Sequence, residues 1–89
     1  ILSNAYPNPF NPSTLIRYSI KKNSLVSLII YDTMGRAVKT LVDTYNKAGA
    51  NSIFWDATNN NNKPVSAGLY FYTIEVGSFR DTKKMILLK

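Results

Sequence analysis

With 89 residues the chain is one domain, and its lack of cysteine and histidine excludes disulfide frameworks, thiolate metal sites and histidine-based catalysis. Its 45 % hydrophobic and 18 % charged residues are those of a globular domain, and no apolar run nears the roughly 18 residues that span a bilayer. The net charge of +6 admits a nucleic-acid reading, but the basic residues are scattered or sit at turns and edges (Lys21, Lys22, Lys83, Lys84, Lys89). There they guard strands against edge-to-edge pairing, so no nucleic-acid partner is expected. Nor is an enzyme, a metal, a cofactor or a membrane span. A chain this short buries only about 60 to 65 % of its unfolded surface, so its large side chains must fill the core.

Ile1-Leu2-Ser3 opens without a methionine or the basic and apolar regions of a signal peptide, which reads as a piece of a longer chain. Residues 5–14 carry Pro7, Pro9 and Pro12, which fix φ and forbid a helix. Tyr6 and Phe10 flank these prolines and are expected to pin the loop onto one end of the fold.

From 14 to 20, Ile16, Tyr18 and Ile20 alternate with Leu15, Arg17 and Ser19, which is the period of a half-buried strand. A turn at 21–24 leads to a second strand, 25–31, with Val26, Leu28 and Ile30 inward. Asp32-Thr33-Met34-Gly35 has turn chemistry, with an aspartate to bond amides ahead of it and a glycine for φ > 0. In 36–45, Val38, Leu41, Val42 and Tyr45 have the spacing of an amphipathic helix, but about ten residues between turn signals among strands favour a bent edge strand.

The runs 51–56 and 69–76 hold five of the eleven aromatic residues and are read as neighbouring antiparallel strands at the centre of the fold. Trp55 is the expected core anchor rather than a sugar-stacking platform, and Tyr70 and Tyr72 share an inward face. The asparagine-rich loop between the runs offers oxygen donors but one carboxylate, Asp56, which is too little charge for tight calcium binding. Gly77-Ser78 turns the chain into a last strand, 79–88, with Lys83 and Lys84 as its polar members. Strands at intervals of about eight to twelve residues predict an all-β chain, a β-sandwich or small barrel of six or seven strands.

Several motifs then stand in a telling order: Tyr6-Pro7-Asn8-Pro9-Phe10-Asn11-Pro12-Ser13-Thr14, Ile16-Arg17-Tyr18, Ile30-Tyr31-Asp32 with Gly35-Arg36, Leu41-Val42, Ala48-Gly49, Trp55-Asp56, Pro64 to Tyr72, and Lys83 to Lys89. In that order and spacing the chain resembles the type A C-terminal sorting domain of proteins exported by bacterial type IX secretion. That family's fold is an immunoglobulin-like antiparallel β-sandwich of about seven strands, related to a domain of flagellar hook-capping proteins. The family usually has glycine after the Trp-Asp pair and again late in the next loop. Here Ala57 and Asn62 stand there, and Asn62 can hold φ > 0.

The resemblance implies that residues 1–89 are a single non-catalytic domain at the end of a longer secreted precursor. It implies three partners: an N-terminal passenger, the outer-membrane secretion machinery, and a processing protease that removes the domain. The passenger would travel through the periplasm to the medium or the cell surface. Carried over as signal residues are Pro7, Asn8, Pro9, Gly68, Tyr70, Lys84 and Ile86, with Trp55 and Tyr72 as core. Two rival readings remain. One is a carbohydrate-binding module with Phe54 and Phe71 exposed on adjacent strands. The other is a structural immunoglobulin-like spacer that stays in the mature protein.

Overall fold

The computed structural model describes residues 1–88, and Lys89 of the terminal motif lies outside the described residues. Each period-two segment forms a strand: β1 Thr14–Ile20, β2 Ser24–Tyr31, β3 Ala37–Asn46, β4 Gly49–Trp55, β5 Gly68–Val76 and β6 Phe79–Leu87. All pairings between these strands are antiparallel, in a two-stranded sheet β1-β4 and a four-stranded sheet β3-β2-β5-β6. The fold is the expected immunoglobulin-like sandwich, with six strands rather than about seven. The N-terminal segment runs beside the sheets but makes only isolated bridges, Leu2 to Tyr18, Tyr6 to Leu15 and Phe10 to Leu87. From residue 7 on, Pro7, Pro9 and Pro12 cannot donate ladder bonds.

The inward faces are those the alternation predicts. Ile16 and Tyr18 of β1, Val26, Leu28 and Ile30 of β2, Tyr70, Tyr72 and Ile74 of β5, and Met85 and Leu87 of β6 are buried. Trp55 is fully buried between the edge of Tyr70, with ring centroids 5.2 Å apart, and Phe10, at 5.6 Å. Each such aromatic pair contributes roughly 0.5–1.5 kcal/mol beyond its burial. The Trp55 Nε1–H donates to the Thr58 carbonyl at 2.9 Å, so its polar atom is satisfied inside the core.

Three expectations are corrected. The runs 51–56 and 69–76 are not neighbours in one sheet: β4 pairs with β1, while β5 lies between β2 and β6. Both have an apolar face to bury, and residues 56–67 carry the chain across so that Trp55 and Tyr70 meet between the layers. Phe54 and Phe71 are therefore not an exposed pair on adjacent strands. Of the two aromatics of the proline loop only Phe10 is buried, at 1 %, whereas Tyr6 is 72 % exposed and is held by backbone bonds to Leu15.

β3 is the expected bent edge strand, and its helix-like spacing has a structural cause. Its register against β2 slips twice, leaving Leu41 and Val38 as extra residues. A bulge sets two residues against one. Val38, Leu41 and Val42 thus all reach the core, while Tyr45, the fourth member of the stripe, is 73 % exposed.

Candidate functional site

Pro7 and Pro9 have no N–H to offer, so the loop that contains them attaches through Asn8 and Phe10. The Asn8 Nδ2 donates to the Lys84 carbonyl at 3.4 Å, and the Ile86 amide donates to Asn8 Oδ1 at 2.9 Å. The side-chain amide thus stands where the peptide group of a neighbouring strand would. One step on, the Phe10 amide donates to the Ile86 carbonyl at 3.0 Å and the Leu88 amide to the Phe10 carbonyl at 2.8 Å. The far side of the loop is tied to β1 by the Thr14 hydroxyl, which donates to the Pro7 carbonyl at 2.7 Å.

The other carried-over residues sit at the same end of the molecule. Gly68, Leu69 and Tyr70 pair with Leu87, Ile86 and Met85. Gly68 has φ +146 with open space around an added Cβ, so backbone conformation, not crowding, favours glycine there. Tyr70 is buried, its hydroxyl donates to the Ser66 carbonyl at 2.6 Å, and burial pushes its phenol above the usual range. Tyr72 is buried too: its hydroxyl receives the Ala5 amide at 2.8 Å and donates to the Ser3 carbonyl at 3.1 Å, tying the N-terminal segment to the larger sheet.

The seven residues thus divide by access. Tyr70 builds the end from inside. Pro7, Asn8, Pro9, Gly68, Lys84 and Ile86 are exposed. On the outer face Lys84 stands opposite Phe71, which stands opposite Tyr31, and Leu69 stands opposite Ile86. An open groove of about 620 Å³ runs between Asn4, Ala5 and Asn8 on one side and Thr82, Lys83 and Lys84 on the other.

Two organising residues escaped the sequence reading. Asn60 in the asparagine-rich loop caps the opposite edge of the larger sheet: its amide donates to the Val38 carbonyl and the Thr40 amide donates to its Oδ1, both at 3.0 Å. Lys39 holds that loop through Nζ, which donates to Asn59 O and Asn62 Oδ1 at 3.1 Å and to Thr58 Oγ1 at 3.3 Å. The run of asparagines was the only available signal, and it reads equally well as a plain polar turn. Asp56 accepts from the Thr58 hydroxyl, which chiefly holds its carboxyl below the usual range, with Lys39 adding to the effect. Among the described residues no cluster of three or more acidic, histidine or cysteine side chains could hold a metal. Among the described residues no helix is long and apolar enough to cross a membrane.

Residues 13–79 match the model of a family described as the FlgD Ig-like domain. No curated protein sequence matches the chain. Among solved structures, the chain is similar to PorZ of Porphyromonas gingivalis, an essential bacterial surface component of the type-IX secretion system. The TM-score is 0.69 at 17 % identity, over 97 % of this chain and 11 % of PorZ. It is similar to FlgD of Xanthomonas campestris, whose structure bears on hook capping in flagellar assembly, with TM-score 0.68 and 24 % identity over 97 % of this chain and 63 % of that one. FlgD of P. aeruginosa gives 0.65 and 19 %, over 83 % of this chain and 58 % of that one. The chain thus spans less than two thirds of each of these proteins.

Proposed function

The chain belongs to the FlgD Ig-like domain family, and from that premise we propose that it is a non-catalytic C-terminal sorting domain. It directs an N-terminal passenger through the periplasm and across the outer membrane by type IX secretion, to the medium or the cell surface. The partners are the outer-membrane machinery and a protease that removes the domain. The observation that carries this reading is the Asn8 clamp, which joins Pro7-Asn8-Pro9 to Lys84 and Ile86 beside Gly68 and Tyr70. Motifs at opposite ends of the sequence meet on one surface, and a preformed surface loses little entropy on docking. The likeness to PorZ, a type IX component, supports the same direction. In this reading Tyr70 and Gly68 position the surface, while Pro7, Asn8, Pro9, Lys84 and Ile86 present it.

The test fuses residues 1–89 to the C-terminus of a periplasmic reporter in a type IX-competent cell. Export is expected, and it is lost when the strand from Lys83 onward is deleted or when Lys84→Glu is introduced without change in the melting curve. A folded fusion retained in the periplasm would overturn the sorting reading in favour of a structural immunoglobulin-like module.

A further inference from the structure

The clamp covers only part of the β6 edge. The Ile86 amide and carbonyl both point outward, to Asn8 and Phe10, and the pairing of β6 with β5 runs without a register shift. In an antiparallel ladder the amide and carbonyl of one residue face the same side and alternate along the strand. The backbone groups of Arg80 and Thr82, and the Lys84 amide, therefore point outward as well. Among the described residues they have no hydrogen-bond partner, and the groove beside the proline loop opens on Thr82 and Lys84.

From this geometry we infer that the Arg80–Lys84 portion of β6 is a strand-addition site for an extended acidic segment of the secretion partner. Main-chain bonds to the outward groups supply attachment, and side chains of alternate residues supply selectivity. On the outer face of β6 stand Arg80, Thr82 and Lys84. An incoming strand with two carboxylates four residues apart, flanking a β-branched residue, meets all three. Arg80 is free to respond, because its contact with Glu75 spans 4.0 Å between exposed side chains. The same cations repel a second copy of this edge, so the segment discriminates between self-association and an acidic partner. The inference rests on the sorting reading for the identity of the partner. The edge itself is testable alone.

The domain, labelled for amide NMR, is titrated with the blocked peptide Thr-Glu-Val-Thr-Val-Glu-Thr and with its counterpart carrying lysine for both glutamates. Expected are slowed exchange and shifted resonances at the Arg80, Thr82 and Lys84 amides, with the acidic peptide bound about fivefold or more tightly than the basic one. Thr82→Pro removes an outward donor on an edge strand, gives up the Thr82 hydroxyl bond to Thr73, and weakens binding about tenfold in the folded variant. Arg80→Glu with Lys84→Glu reverses the preference between the peptides. Protection elsewhere, such as on β3, or no preference between the peptides would overturn the inference. In the export assay, a folded Thr82→Pro fusion that is exported as well as its parent would overturn strand addition and leave the sorting reading standing. Peptide binding by a domain that is never exported would do the reverse.

Discussion

Asn8 and Asn60 cap opposite edges of one four-stranded sheet in the same way. Each lends its side-chain oxygen to an outward amide of the edge strand, Ile86 on β6 and Thr40 on β3, and donates a proton to the carbonyl two residues earlier, Lys84 or Val38. Asn8 donates through its side-chain amide, while Asn60 donates through its backbone. An exposed edge invites pairing with another chain, and each cap closes part of one edge with a loop.

Asn8→Ala removes both side-chain bonds and leaves the Ile86 amide facing the loop without a partner. Loss of about 1–2 kcal/mol is expected, seen as a Tm lower by roughly 5–10 °C and faster hydrogen exchange at Ile86. Asn8→Asp keeps an acceptor for the shorter bond and gives up only the longer one, so it should lie nearer the parent. Equal losses in the two variants would mean that the Ile86 bond contributes little.

Lys39→Met keeps the aliphatic stem and removes the ammonium that three oxygens of the asparagine loop share. The loop then loses the cation that its oxygens share. Stability is expected to fall by about 1–2 kcal/mol, with amide shifts concentrated at 58–62 and at Thr40. A variant whose spectrum changes only around residue 39 would refute this role.

The strands were legible because burial imposes period two on their residues, and Val26, Leu28, Ile30, Tyr70, Tyr72 and Ile74 face where that period places them. Which strand pairs with which was not. The runs around Trp55 and Tyr70 look alike whether they lie side by side or face to face, since both arrangements bury the same apolar faces. The carried-over residues gained a common place through the β5–β6 pairing and the Asn8 and Phe10 bonds, the Asn8 bond to Ile86 joining positions 78 residues apart. No local pattern announces a bond of that length. Nor does composition tell a lysine guarding an edge from Lys39, whose charge is spent inside a loop.

Ala57 and Asn62 both adopt the left-handed conformation that glycine holds most easily, with φ 63 and 60. Alanine there costs roughly 1–2 kcal/mol. Against this, Ala57 is 5 % exposed, so its methyl returns about 0.8 kcal/mol through burial, and it stiffens the unfolded chain by a further 0.4–1 kcal/mol or so. The terms nearly cancel, so Ala57→Gly is expected to change stability by less than about 1 kcal/mol. Ala57→Val adds a β-branched side chain in the same conformation and should cost more than about 2 kcal/mol. Denaturant midpoints for the pair decide it, and a strongly stabilising Ala57→Gly would show that the methyl contributes nothing.

Acid and alkali should each destabilise the fold, with a plateau between. Backbone bonding from the Arg36 amide chiefly holds Asp32 below its ordinary 3.8, and the Thr58 hydroxyl does the same for Asp56. In acid the unfolded chain then binds more protons than the folded one, so the contribution present above pH 3.8 is lost as pH falls through the lowered values. Burial raises Tyr18, Tyr70 and Tyr72 above 10.0, so above that pH the unfolded chain ionises first and stability falls as pH rises. The sequence has no histidine or cysteine whose ordinary titration would fall between. Melting midpoints should be flat from about pH 5 to 9 and decline on both sides. Thr58→Ala removes the leading cause of the Asp56 shift and should shallow the acid limb. A midpoint that drifts steadily across the plateau, or an acid limb unchanged in Thr58→Ala, would contradict this assignment.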